Sequence, residues 1–298
     1  MRGSFSAGLV MRLDDEQESS NIEDRRGMGM PMRAGGVGIG TIVLALAASY
    51  FFGIDPSTVI GVASQLQGGG AESQSVPARQ PPANDPAAQF VGKILGSTER
   101  TWTAEFQRAG RQYEDPKLVL FTGATPTACG TGQTAMGPFY CPLDHKVYID
   151  LAFYQELKDR FHAPGEFAQA YVVAHEVGHH VQNLLGISEK VQGAQQAARS
   201  EAQANALSVR LELQADCLAG VWAAKANEAK HILEAGDVEQ ALTAASSIGD
   251  DRLQKQARGY VQPDAFTHGT SEQRMRWLKR GLETGDMNQC NTFQAAEL

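Results

Sequence analysis

The spacing of apolar residues predicts two long helices in the second half of the chain. Residues 166–185 follow Pro164, precede Gly186 and carry apolar side chains at every third or fourth position. Proline before and glycine after such a pattern are typical of helix ends. A second pattern of this kind runs from about Ser200 to Ala229, with its apolar stripe at Leu207, Leu211, Leu218, Val221 and Trp222. Both stretches are therefore predicted to be helical.

The preceding part of the chain mixes one helical pattern with short apolar runs. The helical pattern covers about Ala87–Ala109. The runs are rich in apolar and aromatic residues, as strands are, and cover Lys117–Phe121, Pro138–Cys141 and Lys146–Asp150. Helices beside a small sheet make the predicted fold class α+β and mostly helical. Residues 88–298 are long enough to bury a substantial core and are predicted to form one domain.

Three segments without a core are predicted before this domain. Residues 1–34 are polar with mixed charges and are expected to form a disordered cytoplasmic N-terminus, in which Met11 is an alternative start. Residues 35–54 contain no charged side chain and are long enough to cross a bilayer as a helix. Residues 55–87 are rich in Gln, Ser, Gly and Pro and are expected to be a flexible linker.

The distribution of basic residues orients the predicted transmembrane helix. Arginines lie just before it, the last at Arg33, and no Lys or Arg follows it until Arg79. By the positive-inside rule the N-terminus stays in the cytoplasm and the domain is exported. We therefore expect a single-pass protein of the inner (cytoplasmic) membrane, with the lipid bilayer as a partner and the domain on the periplasmic or extracytoplasmic side. A cleaved signal peptide is the alternative, because residues 45–47 have the small-x-small form of a cleavage site.

An H-E-x-x-H motif lies inside the first predicted helix, at residues 175–179. Residues four apart on a helix share a face, so His175 and His179 can bind one metal ion. Glu176 lies beside them and can take a proton from a water molecule as a general base. The alternative is a pair of structural histidines, but the helical setting is what the motif requires.

A third metal ligand is expected on the second predicted helix. A catalytic zinc bound by two histidines needs another protein ligand. Glu212 and Asp216 share a face of that helix, and two acids on a mostly buried face are costly without a cation or hydrogen-bond partners. We assign Glu212 as the third ligand of a Zn²⁺ cofactor and Asp216 as the acceptor of a histidine N–H. A solvated acidic pair is the alternative.

H-E-x-x-H followed by E-x-x-A-D resembles the gluzincin metallopeptidases and, more closely, the bacterial putative neutral zinc metallopeptidase family of membrane-anchored proteins. The resemblance covers residues 21–27, the uncharged segment and nearly all of residues 88–298. It implies a zincin-like fold, zinc at the two histidines and Glu212, and Glu176 as the base. Zincins pass an edge strand along the cleft, for which Lys146–Asp150 is the candidate. An ordinary sheet strand is the alternative.

Residues 267–274 resemble the T-H-P-S-x-x-x-R segment of membrane-associated relatives, with Gly269 in place of the proline. Zincins usually meet the oxyanion of the tetrahedral intermediate with a side-chain donor as well as the metal, and His268 or Arg274 can serve. Thr270 or Ser271 would cap the following helix. The alternative is a capped helix start with a surface histidine.

The four cysteines predict two disulfides, because an even count in an exported protein favours pairing. Of the three possible connectivities we prefer Cys129–Cys141, which closes a short loop, with Cys217–Cys290, which ties the C-terminal tail to the Glu212 helix. The net charge of −8 argues against a nucleic acid partner.

Together these features predict a membrane-anchored zinc peptidase that acts on peptide or protein substrates. Two other classes stay open: a zinc-bearing binding or scaffold protein without turnover, and an amidase that acts on cell-wall peptides. The oligomeric state does not follow from the sequence.

Overall fold

The computed structural model describes residues 11–28 and 79–298 of the 298-residue chain. Across these residues, helices and short strands form an α+β fold, so the α+β part of the predicted fold class is correct. The helices are α1 (Pro86–Arg108), α2 (Ala152–Asp159), α3 (Glu166–Leu184), α4 (Ile187–Gln196), α5 (Glu201–Lys230), α6 (Asp237–Ser247), α7 (Asp250–Arg258) and α8 (Ser271–Thr284). The strands are β1 (Ile22–Asp24), β2 (Lys117–Phe121), β3 (Ala124–Thr127), β4 (Gly130–Gln133), β5 (Phe139–Cys141) and β6 (Lys146–Asp150).

Four of the strands form a mixed sheet in the order β1-β2-β6-β5. The first three are parallel, and β5 is antiparallel to β6. Strands β3 and β4 form a separate hairpin. The expectation that Lys146–Asp150 is the edge strand is wrong, because β6 pairs with a neighbour on each side and has no free edge. The edge strands of this sheet are β1 and β5, and β5 is the one next to β6.

The N-terminal residues are part of the folded unit that contains the helices. Residues 11–26 and 79–298 cluster together, and β1 pairs with Leu118–Leu120 of β2. Met11 and Leu13 are buried, and the buried carboxylate of Glu16 contacts Arg100. The disorder expected for residues 1–34 is therefore wrong for residues 11–28. These residues bury enough apolar surface and pair enough backbone to offset the entropy of ordering them.

The predicted single-pass topology is contradicted. In residues 11–28 and 79–298, no helix combines the length and the apolar character needed to cross a bilayer. The predicted transmembrane helix at residues 35–54 lies outside the described residues, as does most of the predicted linker. Strands β1 and β2 precede and follow that segment and pair in one sheet. A single crossing would place them on opposite sides of a membrane, so the predicted localisation fails with the topology.

Helices α3 and α5 cross at a close contact that positions the candidate site. A Cβ atom added at Gly178 would lie 3.0 Å from the carbonyl oxygen of Ala215, so only glycine allows this approach without a shift. The contact lies between His175 and His179 on α3, and between Glu212 and Asp216 on α5. The two histidines of α3 therefore face the two acids of α5.

Both predicted disulfides are present. Cys129 is bonded to Cys141, which connects the β3–β4 hairpin to strand β5. Cys217 is bonded to Cys290, which fastens the C-terminal tail to α5. The second bond joins the tail to the helix that carries Glu212.

Candidate metal centre

Three side chains from α3 and α5 converge in one place. His175 and His179 lie one turn apart on α3, and Glu212 projects from α5; one ligand atom from each lies within 4.8 Å of the others. Nε2 of His175 is 3.2 Å from Oε2 of Glu212, and Nε2 of His179 is 3.4 Å from Oε1. The structure therefore brings the three predicted ligands together in an arrangement that could hold a metal ion.

Hydrogen bonds on the far side of each ring orient the two histidines. Nδ1 of His175 lies 2.8 Å from Oδ1 of Asp216, and Nδ1 of His179 lies 2.9 Å from Oε1 of Gln182. Both acceptors favour a proton on Nδ1, which leaves the lone pair of Nε2 facing Glu212. Two neutral imidazoles and one carboxylate form a donor set that suits a catalytic zinc with an open position. The residues present fit the metal.

The electrostatics of the site favour a cation. Burial opposes the charged form of Glu212, but the neighbouring histidines outweigh it and hold the pKa of Glu212 well below its usual range. Burial also opposes ionisation of Asp216, yet Arg274 and His175 lower its pKa to about 2. Burial would lower the pKa of His175, but Asp216 and Glu212 raise it to about 10, so a metal ion that binds this ring would displace a proton from it. Both carboxylates therefore remain ionised at neutral pH.

Asp216 is the centre of a buried hydrogen-bond network beneath His175. Its fully buried carboxylate accepts from Tyr171 Oη at 2.6 Å, and from Arg274 Nε at 2.9 Å and Nη2 at 2.8 Å, besides His175. Arg274, predicted as an oxyanion donor, therefore has two of its nitrogens engaged by Asp216. Sequence reasoning missed Tyr171, although its position four residues before His175 places it on the same helix face.

Glu176, the predicted base, is buried on α3 and lines the same cleft as the three candidate ligands. Burial raises the pKa of its carboxyl group, and the two adjacent histidines only partly offset this. A carboxylate whose pKa lies closer to neutrality is better suited to accept a proton and return it.

His268, the other predicted catalytic residue, lies on the cleft wall in the loop between α7 and α8. Oδ2 of Asp250 accepts the backbone N–H groups of Thr267, His268 and Gly269 at 2.7, 2.6 and 3.1 Å. Oδ1 lies 3.3 Å from His268 Nδ1, and this hydrogen bond raises the pKa of the imidazole. The predicted cap is also present, as Thr270 and Gln273 form a capping box at the start of α8.

The candidate ligands line a cleft of about 990 Å³. Strand β5 borders it with Phe139 and Tyr140, whose hydroxyl group lies 3.0 Å from Nδ1 of the buried His180. Further apolar residues of the cleft lie on α2, α7 and the adjoining loops: Phe153, Phe161, Ile248 and Leu253. Polar residues line it on α3 and α4: Asn183, Gln192 and Gln195. The cleft is large enough for several residues of a peptide.

The geometry defines a candidate zinc centre inside an α+β domain, and the comparison with known proteins agrees. The profile of the putative neutral zinc metallopeptidase family matches residues 11–293, so the chain belongs to this family. The chain is 50% identical over 293 residues to the uncharacterized protein YpfJ of Escherichia coli K12, covering 95% of this chain and 99% of that protein. It is 44% identical over 223 residues to the uncharacterized protein Mb2605 of Mycobacterium bovis, covering 71% and 74%. No solved structure matches.

Proposed function

We propose that this protein is a zinc-dependent peptidase that hydrolyses peptide bonds with Glu176 as the general base. The observation that carries the proposal is the convergence of His175, His179 and Glu212 beside Glu176 on an open cleft. Membership of the family supports zinc as the metal. We infer a site of gluzincin type, because the third candidate ligand is a glutamate on a later helix.

Each of five residues in the cleft has a role in the proposed peptide hydrolysis. His175, His179 and Glu212 would hold the metal. A bound zinc ion supplies polarisation of the substrate carbonyl and a lowered pKa for an attacking water molecule. Glu176 accepts the proton of that water and returns it to the leaving amine. His268 donates a hydrogen bond to the developing oxyanion from the cleft wall, held there by Asp250.

Strand β5 supports an extended peptide or protein as the substrate. One edge of this strand pairs with β6, and Phe139 and Tyr140 of the strand border the cleft. An extended segment of a peptide or protein can add to the other edge through backbone hydrogen bonds, which do not depend on its sequence. We propose that β5, rather than β6, aligns the scissile bond over the metal site.

The test compares zinc content and cleavage for the purified full-length chain and three variants. We expect one zinc per chain in the parent and cleavage of unfolded casein or of a peptide library. Glu176→Gln should keep the zinc and lose activity by about 10²-fold or more. Glu189→Gln, which removes another carboxylate from the cleft, is the matched control and should keep both. Glu212→Ala should lose stoichiometric zinc.

The outcomes separate the proposed peptidase from the two alternatives left by the sequence. Zinc without any cleavage would favour a binding protein. Cleavage of cell-wall peptides but not of casein would favour an amidase. Unchanged activity in Glu176→Gln would contradict the assignment of the base, and full zinc occupancy in Glu212→Ala would point to another third ligand.

A further inference from the structure

We propose that two buried glutamines form a hydrogen-bond relay between the backbone of the C-terminal tail and His179, and that this relay fixes the tautomer of His179. The inference rests on the proposed metal site. His179 Nδ1 is 2.9 Å from Gln182 Oε1, and Gln182 Nε2 is 3.1 Å from Gln214 Oε1. Gln214 Nε2 is in turn 3.0 Å from the carbonyl oxygen of Cys290. Gln182 and Gln214 are thus positioning residues that act through His179.

The hydrogen bonds of the relay can run in one direction only, because a backbone carbonyl oxygen can only accept a hydrogen bond. The carbonyl of Cys290 requires the amide nitrogen of Gln214, which turns the side-chain oxygen of Gln214 toward Gln182. Gln182 must then donate with its nitrogen, which also lies 2.7 Å from the carbonyl oxygen of Leu211, a second obligatory acceptor. The oxygen of Gln182 is left for His179. Nδ1 of His179 therefore carries the proton, and the lone pair of Nε2 faces the metal site.

The relay is buried away from water, so reversing the direction of its hydrogen bonds is costly. Gln182 is 0% exposed, Gln214 is 6% exposed and Cys290 is 1% exposed. A buried polar group left without a partner costs about 1–3 kcal/mol. The disulfide to Cys217 of α5 holds Cys290 in place at the far end. The two metal-binding histidines therefore differ: His175 is oriented by the charged Asp216, and His179 is oriented by a neutral relay.

Zinc affinity of the full-length chain, measured by competition with a chromophoric chelator, tests this relay. Replacing Gln182 by leucine removes the acceptor at nearly constant volume and should weaken zinc binding about 10–100-fold, the usual effect of losing such a partner. Gln214→Leu breaks the next link and should weaken binding in the same direction by about threefold or more. Gln240→Leu is the matched control, since Gln240 is a buried glutamine of α6 that contacts Asp237. Its zinc affinity should stay within about twofold of the parent.

A second readout follows the proton on His179 directly. In protein carrying isotope-labelled histidine, NMR should show a protonated Nδ1 for His179 in the parent and a loss or shift of that signal in Gln214→Leu. Zinc binding by Gln182→Leu within about twofold of the parent would overturn the inference. If that variant does not fold, unchanged affinity and an unchanged Nδ1–H signal in Gln214→Leu would overturn it. A parent that binds no zinc refutes the proposed function instead, and the relay is then decided by comparing the Nδ1–H signal of Gln214→Leu with that of the parent, above the pH at which the ring loses its second proton.

Discussion

Replacing Asp216 by asparagine is a sharp test of the network beneath the metal site. The carboxylate of Asp216 is 0% exposed and accepts from four donor atoms: His175 Nδ1, Tyr171 Oη, and Nε and Nη2 of Arg274. Asparagine keeps the shape but has one acceptor oxygen and one NH₂ group. Whichever way the amide turns, its NH₂ group faces at least one N–H of Arg274, and the guanidinium loses its buried counter-charge.

The expected loss of stability in Asp216→Asn follows from this geometry. Removing one partner of a buried, hydrogen-bonded ion pair costs about 3–5 kcal/mol, because the other charge remains buried without compensation. For a domain of this size, each kcal/mol lowers the melting temperature by about 2–4 °C. We therefore expect Asp216→Asn to melt about 6–20 °C below the parent. Calorimetry or urea unfolding in the presence of a chelator measures this loss apart from any change in metal binding.

A matched control is available on the same helix. Glu272 and Arg276 lie on α8, two residues before and after Arg274. They form a pair at 2.7 Å, but both side chains are exposed. Glu272→Gln also removes a carboxylate from an arginine and should have a far smaller effect, since solvent screens the pair. A loss below about 1 kcal/mol for Asp216→Asn, or one no larger than the control, would refute the reasoning.

Three further predictions concern stability. Replacing both cysteines of the Cys290 disulfide by alanine should cost about 4 kcal/mol in urea unfolding, against about 3 kcal/mol for the Cys129 disulfide, because the loops span 73 and 12 residues; the reverse order would contradict the loop argument. Gly281→Ala should cost about 3 kcal/mol or more by calorimetry, since its Cβ would lie 1.9 Å from a carbonyl oxygen of α5; a smaller loss would mean that the helices separate easily. Burial opposes the lowered pKa of Asp250, but the hydrogen bonds from His268 and its loop outweigh it. The stability lost in Asp250→Asn should therefore be full above about pH 4 and shrink below it, as acid protonates the parent carboxylate; a pH-independent difference would exclude this linkage.

The site helices could be predicted to within about two residues because each carries several signals that agree. The helix predicted at residues 166–185 is observed at Glu166–Leu184, and the one predicted from Ser200 to Ala229 is observed at Glu201–Lys230. Apolar period and Gly186 indicate the bounds of the first helix, and apolar period and the capping Ser200 indicate the start of the second. Glu212 could be found because two acids at helical spacing beside an apolar stripe require a partner.

The supporting residues were harder to predict, because a single polar residue in a helix has no period. Gln182 lies three residues after His179 and so shares its helix face, which is a signal that could have been used. Gln214 and the carbonyl of Cys290 have no such signal. Their contact depends on how the C-terminal tail docks on α5, which is a matter of tertiary packing. The edge position of β5 likewise depends on strand order rather than on local sequence.

The N-terminal segment shows why the predicted topology failed. The positive-inside rule counts arginines as charges that face lipid headgroups. In the structure, Arg25 pairs with Glu23 at 2.9 Å, and Arg26 pairs with Asp24 and Asp85, both at 2.7 Å. The mixed charges that indicated disorder are therefore paired in the structure: Glu23 also contacts Lys146 of β6, and the pair with Asp85 connects Arg26 to the start of α1. Counting arginines along the sequence cannot separate a role near lipid headgroups from a role in ion pairs. Asp85, which pairs with Arg26, follows the uncharged segment, and the positive-inside rule assumes that a membrane separates the residues on the two sides of that segment.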